Sequence, residues 1–189
     1  MAFERDLGDG AALVLRTPSA ARALRPVIAA NLPRLRLWEP WAHVVEPGDL
    51  MDEYDREQLR RFVDGTAVPG ILQQDGNAIG SVSAQIDRYT RSAQLGYWVD
   101  ERAEGKGIVA RACRAVIGDL FADGVERIEI RTAGHNERSI RLAERLGFAR
   151  EGTLRRALPV GTQRHDLAVF GLLSADADGA SDGDAHPGG

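Results

Sequence analysis

One stretch of this chain constrains its fold more than any other. Residues 93–109 read A-Q-L-G-Y-W-V-D-E-R-A-E-G-K-G-I-V. The apolar run at 95–99 predicts a buried strand, and the polar loop at 100–107 carries Gly105, Lys106 and Gly107. Val109, Cys113, Val116, Ile117 and Leu120 then recur at i, i+4, i+7, i+8 and i+11, the spacing of an amphipathic helix. A strand, a glycine-rich loop and a helix start point several backbone N–H groups at one spot, where the helix dipole is positive. Glycine lets a guest approach those amides without a side chain in the way. The expected guest is a phosphate or pyrophosphate.

The rest of the chain builds a sheet around that unit. Residues 11–16 predict a first strand, and Thr17-Pro18-Ser19 opens a helix carrying Leu24, Val27, Ile28 and Leu32. Trp38 and Trp41 flank Glu39 and Pro40, and either close a pocket or plug the core beside a turn. Residues 47–64 predict a charged surface helix with Leu50, Tyr54, Leu59 and Phe62 as its apolar members. Two strands at 68–73 and 77–86 join through Asp75-Gly76, a hairpin dipeptide, and with the strand at 95–99 they predict an antiparallel meander. The alternating segment 125–132 returns after the helix, so it should lie parallel to 95–99 through a right-handed crossover. A short helix at 137–146, capped by Asn136 and Gly147, and two closing strands at 148–158 and 164–173 complete the expected domain, residues 1–173. Residues 174–189, rich in Gly, Ala and Asp, hold no large apolar side chain and are expected to be disordered.

Composition narrows the function classes. Cys113 is the only cysteine and falls on the apolar helix face, so it reads as a core thiol, with no disulfide or cysteine zinc site. No metal site is expected. The net charge of −4 argues against nucleic acid as the main partner. No basic stretch followed by an apolar one opens the chain and no run is long enough for a membrane span, so the cytoplasm is the expected location.

Three loops of this general kind bind phosphates. A nucleoside-triphosphate loop needs Ser or Thr after its lysine, and here Gly107 follows Lys106. Gly105, Gly107 and Ala110 fit a dinucleotide fingerprint, with Glu129 at a plausible ribose offset. That motif starts directly after its strand, whereas residues 100–104 intervene here. Arg102-Ala103-Glu104-Gly105-Lys106-Gly107 matches the third pattern, Gln or Arg, two residues, Gly, one residue, Gly or Ala. That pattern, L-G-Y-W-V, G-K-G-I, A-C-R-A, N-E-R-S-I at 136–140, R-L-G-F with E-G, and His165-Asp166 together resemble the GNAT superfamily of N-acetyltransferases. They resemble most its RimJ/RimL-like branch, the ribosomal-protein alanine and serine N-acetyltransferases. The resemblance is dense over residues 93–173 and looser before them.

The resemblance implies an α/β (α+β) GNAT fold: a mixed, mostly antiparallel sheet with a splayed parallel strand pair and flanking helices. It implies acetyl-CoA, or another acyl-CoA, as donor, and a protein N-terminus or small amine as acceptor. A non-catalytic acyl-CoA-binding regulatory module is the alternative. Backbone amides of Glu104, Gly105, Lys106, Gly107, Ile108 and Val109, with Arg102 in the motif, are expected to hold the pyrophosphate. An N–H near Trp98 or Val99 would bond the thioester carbonyl. Ser139 is the expected acid towards the departing thiolate, and Asn136 the contact to the pantetheine or a water; the plainer roles of helix cap and first turn stand beside these. The branch carries carboxylates where this chain has Leu158 and Gln94, which leaves Glu39, His135, Glu151 and His165, or a water chain to bulk solvent, as candidate bases. Relatives are often homodimers, so a homodimer is expected.

Overall fold

Local turn chemistry sets the meander. Asp75 and Gly76 both take positive φ, 51° and 76°, the conformation a two-residue hairpin turn requires. The Thr17 side chain accepts from Ala20 N and so caps the first helix. The computed structural model describes residues 4–44 and 49–179. Its elements are β1 Glu4–Gly8, β2 Ala11–Leu15, α1 Pro18–Leu35, α2 Asp49–Val63, β3 Ala67–Gln74, β4 Asn77–Asp87 and β5 Ser92–Val99. They continue with α3 Ile108–Ala122, β6 Arg127–Ala133, α4 Glu137–Arg145, β7 Ala149–Val160, β8 Gln163–Leu173 and α5 Ser174–Gly179. The strands form one sheet in the order β1-β2-β3-β4-β5-β6-β8-β7. Among the described residues only the β5–β6 pair is parallel, joined through α3 as the alternating segment predicts.

Strand alternation sorts the core to the two sides of this sheet. Ala93, Leu95, Tyr97 and Val99 of β5 pack with Ile108, Ala112, Cys113 and Val116 of α3. Trp98 turns the other way, into a cluster with Leu24 and Ile28 of α1 and Ile71 of β3. Cys113 is fully buried, and that burial pushes its thiol up to about 12, so it is an inert core group, in line with the sequence reading.

Three expectations change. β1 went unread because E-R-D-L-G offers one apolar side chain to the core, Leu7. The helix expected at 47–64 as a surface element instead buries two polar side chains, Asp55 and Gln58, while Tyr54 is exposed. The Leu50 side chain and residues 45–48 lie outside the described residues. The chain does not turn irregular at 174. Ser174 N donates to Glu126 O at 3.0 Å and Leu173 N to Asp176, which starts the short helix α5. The remainder of the expected tail, residues 180–189, lies outside the described residues.

Candidate active site

β5 and β6 pair over four positions only, from Ser92↔Arg127 to Leu95↔Ile130. β5 then stays on β4 through Val99↔Gly80, while β6 follows β8 through Ala133↔Leu167. Each strand has a stronger claim on its antiparallel neighbour, so the parallel pair opens beyond Leu95. A cleft of about 1630 Å³ enters there, larger than a pocket for one small molecule, which runs to roughly 1,000 Å³.

Peptide groups alternate along a strand, so the ladder says which ones face the opening. Asp100 N donates to Ile79 O at 2.6 Å, which puts Asp100 towards β4 and Val99 away from it. Arg34 Nη2 reaches Val99 O from the cleft side, as that parity requires. The Val99 and Tyr97 N–H groups therefore face the opening. The Trp98 N–H faces Ser81 on β4, and only its side chain lines the cleft.

The glycine loop closes one end. Gly105 and Gly107 have φ of 78° and 71°, and Gly107 caps α3 without a side-chain bond. The first helical bond here is Arg111 N to Gly107 O at 3.1 Å. The N–H groups of residues 105–110 thus have no hydrogen-bond partner among the described residues. Six unpartnered amides at a helix N-terminus suit a diphosphate. The Glu104 amide is not among them, since it donates to Glu101 O at 3.2 Å. The Glu104 carboxylate instead bridges Arg34 of α1 and Arg138 of α4. α4 also lines the cleft with Arg141 and Arg145, cations that the motif reading did not single out.

Residues 13–149 match the family model described as the acetyltransferase (GNAT) domain. The chain belongs to the GNAT acetyltransferase family. It is 34% identical over 168 residues to the putative ribosomal N-acetyltransferase YdaF of Bacillus subtilis (strain 168), spanning 87% of this chain and 92% of that protein. A solved probable acetyltransferase shares 31% identity, with a TM-score of 0.81 over 92% of this chain and 98% of that one. The fold also matches RimL, a ribosomal L7/L12 alpha-N-protein acetyltransferase solved in complex with coenzyme A: TM-score 0.85, 21% identity, 89% of this chain and 96% of that one. This chain is accordingly an N-acetyltransferase with acetyl-CoA as donor.

In this acetyltransferase, Trp98, Val99, Glu104, Gly105, Gly107, Ile108, Val109, Asn136 and Ser139 all line the cleft. Arg102 and Lys106 do not. The Arg102 guanidinium folds back onto Asp100, with Nη2 to Oδ2 at 2.7 Å, and holds that carboxyl below the usual carboxylate range. Only the Lys106 carbonyl has a described bond, accepted from Arg111 at 3.1 Å. The motif specifies backbone shape at these two positions and leaves the side chains free.

Asn136 Oδ1 accepts from Ser139 N at 3.2 Å, so its cap role is real, and its Nδ2 has no partner among the described residues. The Ser139 hydroxyl lies 2.9 Å from the Tyr97 hydroxyl. Tyr97 escaped the sequence reading; its place in the apolar run L-G-Y-W-V gave it the look of a core residue. Burial pushes its pKa well above the ordinary phenol value, so it keeps its proton at any working pH. It can therefore donate to Ser139 while Ser139 donates onward.

The other half of the cleft is walled by Trp38, Trp41, Trp98, Glu39, His135, Leu158 and Gln94. Both tryptophans of 38–41 line the cleft, and Trp41 also packs on the core cluster of Leu24, Ile28 and Ile71, so both expected roles meet there; Trp41 lies 6.4 Å from Trp98, ring centroid to centroid, and Trp38 lies 5.0 Å from His135. His165, opposite Leu158 in the β7–β8 ladder, lies 4.9 Å from His135, ring centroid to centroid, with the rings tilted by 49°. Asp166 Oδ1 accepts from Arg156 N at 2.8 Å and shapes the hairpin. Glu151 is bound to Arg127 at 2.5 Å, which holds its carboxyl below the usual range, and it does not line the cleft.

Proposed function

We propose that this acetyltransferase moves an acetyl group to a primary amine, either a protein N-terminal α-amino group or a small amine, in the cytoplasm. Attack is direct, with donor and acceptor side by side in one cleft. The observation that carries this reading is the opening beyond Leu95 and Ile130, which ends on the six unpartnered amides of residues 105–110. Acetyl-CoA supplies an activated thioester when bound. The amides of 105–110 bind the diphosphate, and Arg138, Arg141 and Arg145 add positive potential beside it. The Val99 N–H donates to the thioester carbonyl, a bond that strengthens as negative charge gathers on that oxygen. Trp98 is a poorer candidate for this because its own N–H belongs to the β4 ladder. The Ser139 hydroxyl hands a proton towards the sulfur, and Tyr97 holds that hydroxyl in place. The free Asn136 amide group orients the pantetheine arm or a water.

Calorimetric titration with coenzyme A tests the cleft, and thiol release with a panel of amines and N-terminal peptides tests the transfer. The expected result is one-to-one binding and amine-dependent release, with one acetyl group gained by the acceptor. Binding without release from any acceptor would mark a regulatory module instead.

Tyr97→Phe removes the hydrogen bond to Ser139 and leaves the ring packing. A neutral bond contributes about 1 kcal/mol net, so kcat should fall roughly fivefold. Affinity for coenzyme A should be unchanged. Single-turnover rates beside a binding isotherm check both numbers; a fall in affinity with kcat intact would remove Tyr97 from the proton path.

A further inference from the structure

Among the described residues, three carboxylates line the cleft: Glu39, Glu104 and Glu137. Glu104 is bound to Arg34 and Arg138, and Glu137 faces Arg141 at 3.6 Å. Glu39 has no cationic partner among the described residues. It is half-buried, and desolvation raises its carboxyl above the ordinary value, while a bond from Trp41 Nε1 to Oε2 at 2.9 Å offsets part of that shift. Its other oxygen, Oε1, makes no hydrogen bond among the described residues.

The backbone holds Glu39 in this position. It is the residue before the 3-10 turn Pro40–His43, yet its side chain makes no cap bond to that turn. Arg36 Nε donates to Ala42 O at 3.0 Å and His43 Nε2 lies 2.9 Å from Arg36 O, so the corner is tied on both sides. A Cβ on Gly161 would come 2.9 Å from His43 Cε1; the bare glycine lets the β7–β8 turn close over the corner. A carboxylate with no cationic partner, bonded to the Trp41 indole and lining the same cleft as Trp38 and Trp98, is a costly arrangement that a cation relieves. Carboxylate and rings together form a receptor for an ammonium group.

Resting on the proposed transfer to an amine, we propose that Glu39 is the catalytic residue that receives the acceptor: its carboxylate binds the incoming ammonium and takes one of its protons. The acceptor class is a primary amine that is cationic when free and carries an apolar or flat neighbour to lie against Trp38, Trp41 and Trp98. In the step, R–NH3+ gives one proton to Glu39, which passes it to water. The neutral nitrogen attacks the thioester carbon, and the C–N bond forms as the C–S bond breaks. The nitrogen sheds a second proton as it becomes an amide, and that proton reaches the sulfur through the Ser139 hydroxyl. Glu39 thereby supplies the carboxylate absent at Leu158 and Gln94. The other titratable groups around this half of the cleft are Tyr97 of β5, Tyr54 of α2, His135 and His165 beyond the indoles, and His43. Arg16 and Arg131, which also line the cleft, are bound to Asp55 and Glu129.

Glu39→Gln is the test, because Gln keeps the acceptor oxygen for Trp41 Nε1 and removes only the charge. The probes are spermidine and short peptides starting with Ser or Ala. In the variant, kcat/KM for the amine should fall by about 10²–10⁴, the usual range for loss of a positioned base. Coenzyme A affinity should stay within about twofold, since the diphosphate is held by backbone amides at the far end of the cleft. Wild type should show an acid limb in kcat/KM set by Glu39, above the ordinary carboxylate range, and the variant should lose it. Carbon-13 titration of Glu39 should show that raised carboxyl directly and show it fall when amine binds. An unchanged limb, or kcat/KM within about threefold of wild type, overturns the assignment while leaving the acetyltransferase reading intact. Failure of wild type to bind coenzyme A would instead sink that reading, and binding with no amine turned over would sink both.

Discussion

Gly107→Val should lower affinity for coenzyme A by at least about a hundredfold and leave the fold in place. Gly107 sits at φ 71° and ψ 2°, a left-handed conformation that a β-branched residue does not hold. A Cβ there would touch only Arg111 Nη1, at 3.4 Å, so no collision unfolds the neighbourhood. The local strain is about 1–2 kcal/mol, equivalent to a Tm loss of roughly 2–8 °C for a chain of this size. The damage falls on the amides. Valine draws φ negative, and the N–H groups on either side of residue 107 swing out of the cradle. Bonds from amides to a charged group contribute about 1.5–3 kcal/mol each, so losing two of them gives the hundredfold or more. Lys106→Ala is the contrast, because Lys106 does not line the cleft; affinity there should stay within about threefold, a screened surface charge. A large loss for Lys106→Ala with none for Gly107→Val would mean that side chains, not backbone, hold the diphosphate.

The contrast also says what the sequence made legible. Glycine is informative because backbone conformation is local: the sequence marks Gly105 and Gly107 as bare backbone, and both take positive φ. The six-residue motif carries the loop but not the side chains of Arg102 and Lys106, which are free to turn to Asp100 and to solvent. Strand order around β5 followed from the meander and the crossover. The point at which β5 and β6 part did not, since Leu95 and Gly96 look alike to a periodicity argument; the opening entered through the resemblance alone. Glu39 was visible only as one acid among several. What singles it out is a missing arginine, and arginines meet Glu104 from 70 and 34 positions away in the chain. Tyr97 was hidden for a related reason: its partner Ser139 is 42 positions distant. Pairings across such separations are decided by tertiary packing, which a window of ten or fifteen residues does not sample.

The buried ion pair behind the aromatic wall was illegible in the same way, and it yields the largest expected stability loss. Arg16 at the end of β2 donates from Nε to Asp55 Oδ1 of α2 at 2.7 Å, with side-chain exposures of 8% and 3%. The Arg16 guanidinium also lies over the Tyr54 ring at 5.1 Å, and Arg25 of α1 stands 3.6 Å from Asp55 Oδ2. One carboxylate therefore ties β2, α1 and α2 together. Asp55→Ala leaves two guanidiniums without it, one of them buried, and breaking such a pair from one side costs about 3–5 kcal/mol. For a chain of this size that is roughly 6–20 °C in Tm. The cost is desolvation left uncompensated, so removing both charges should be far milder: Arg16→Met with Asp55→Leu should recover most of the loss, because apolar replacements of a buried pair are often neutral. Urea unfolding of the single and double variants measures both, and a single-variant loss below about 1 kcal/mol would mean that water reaches Arg16 and screens it as at a surface. Both Arg16 and Tyr54 line the cleft, so the same variant should loosen the acceptor wall. KM for the amine should rise, while affinity for coenzyme A, held by amides on the other side of β5, should not move.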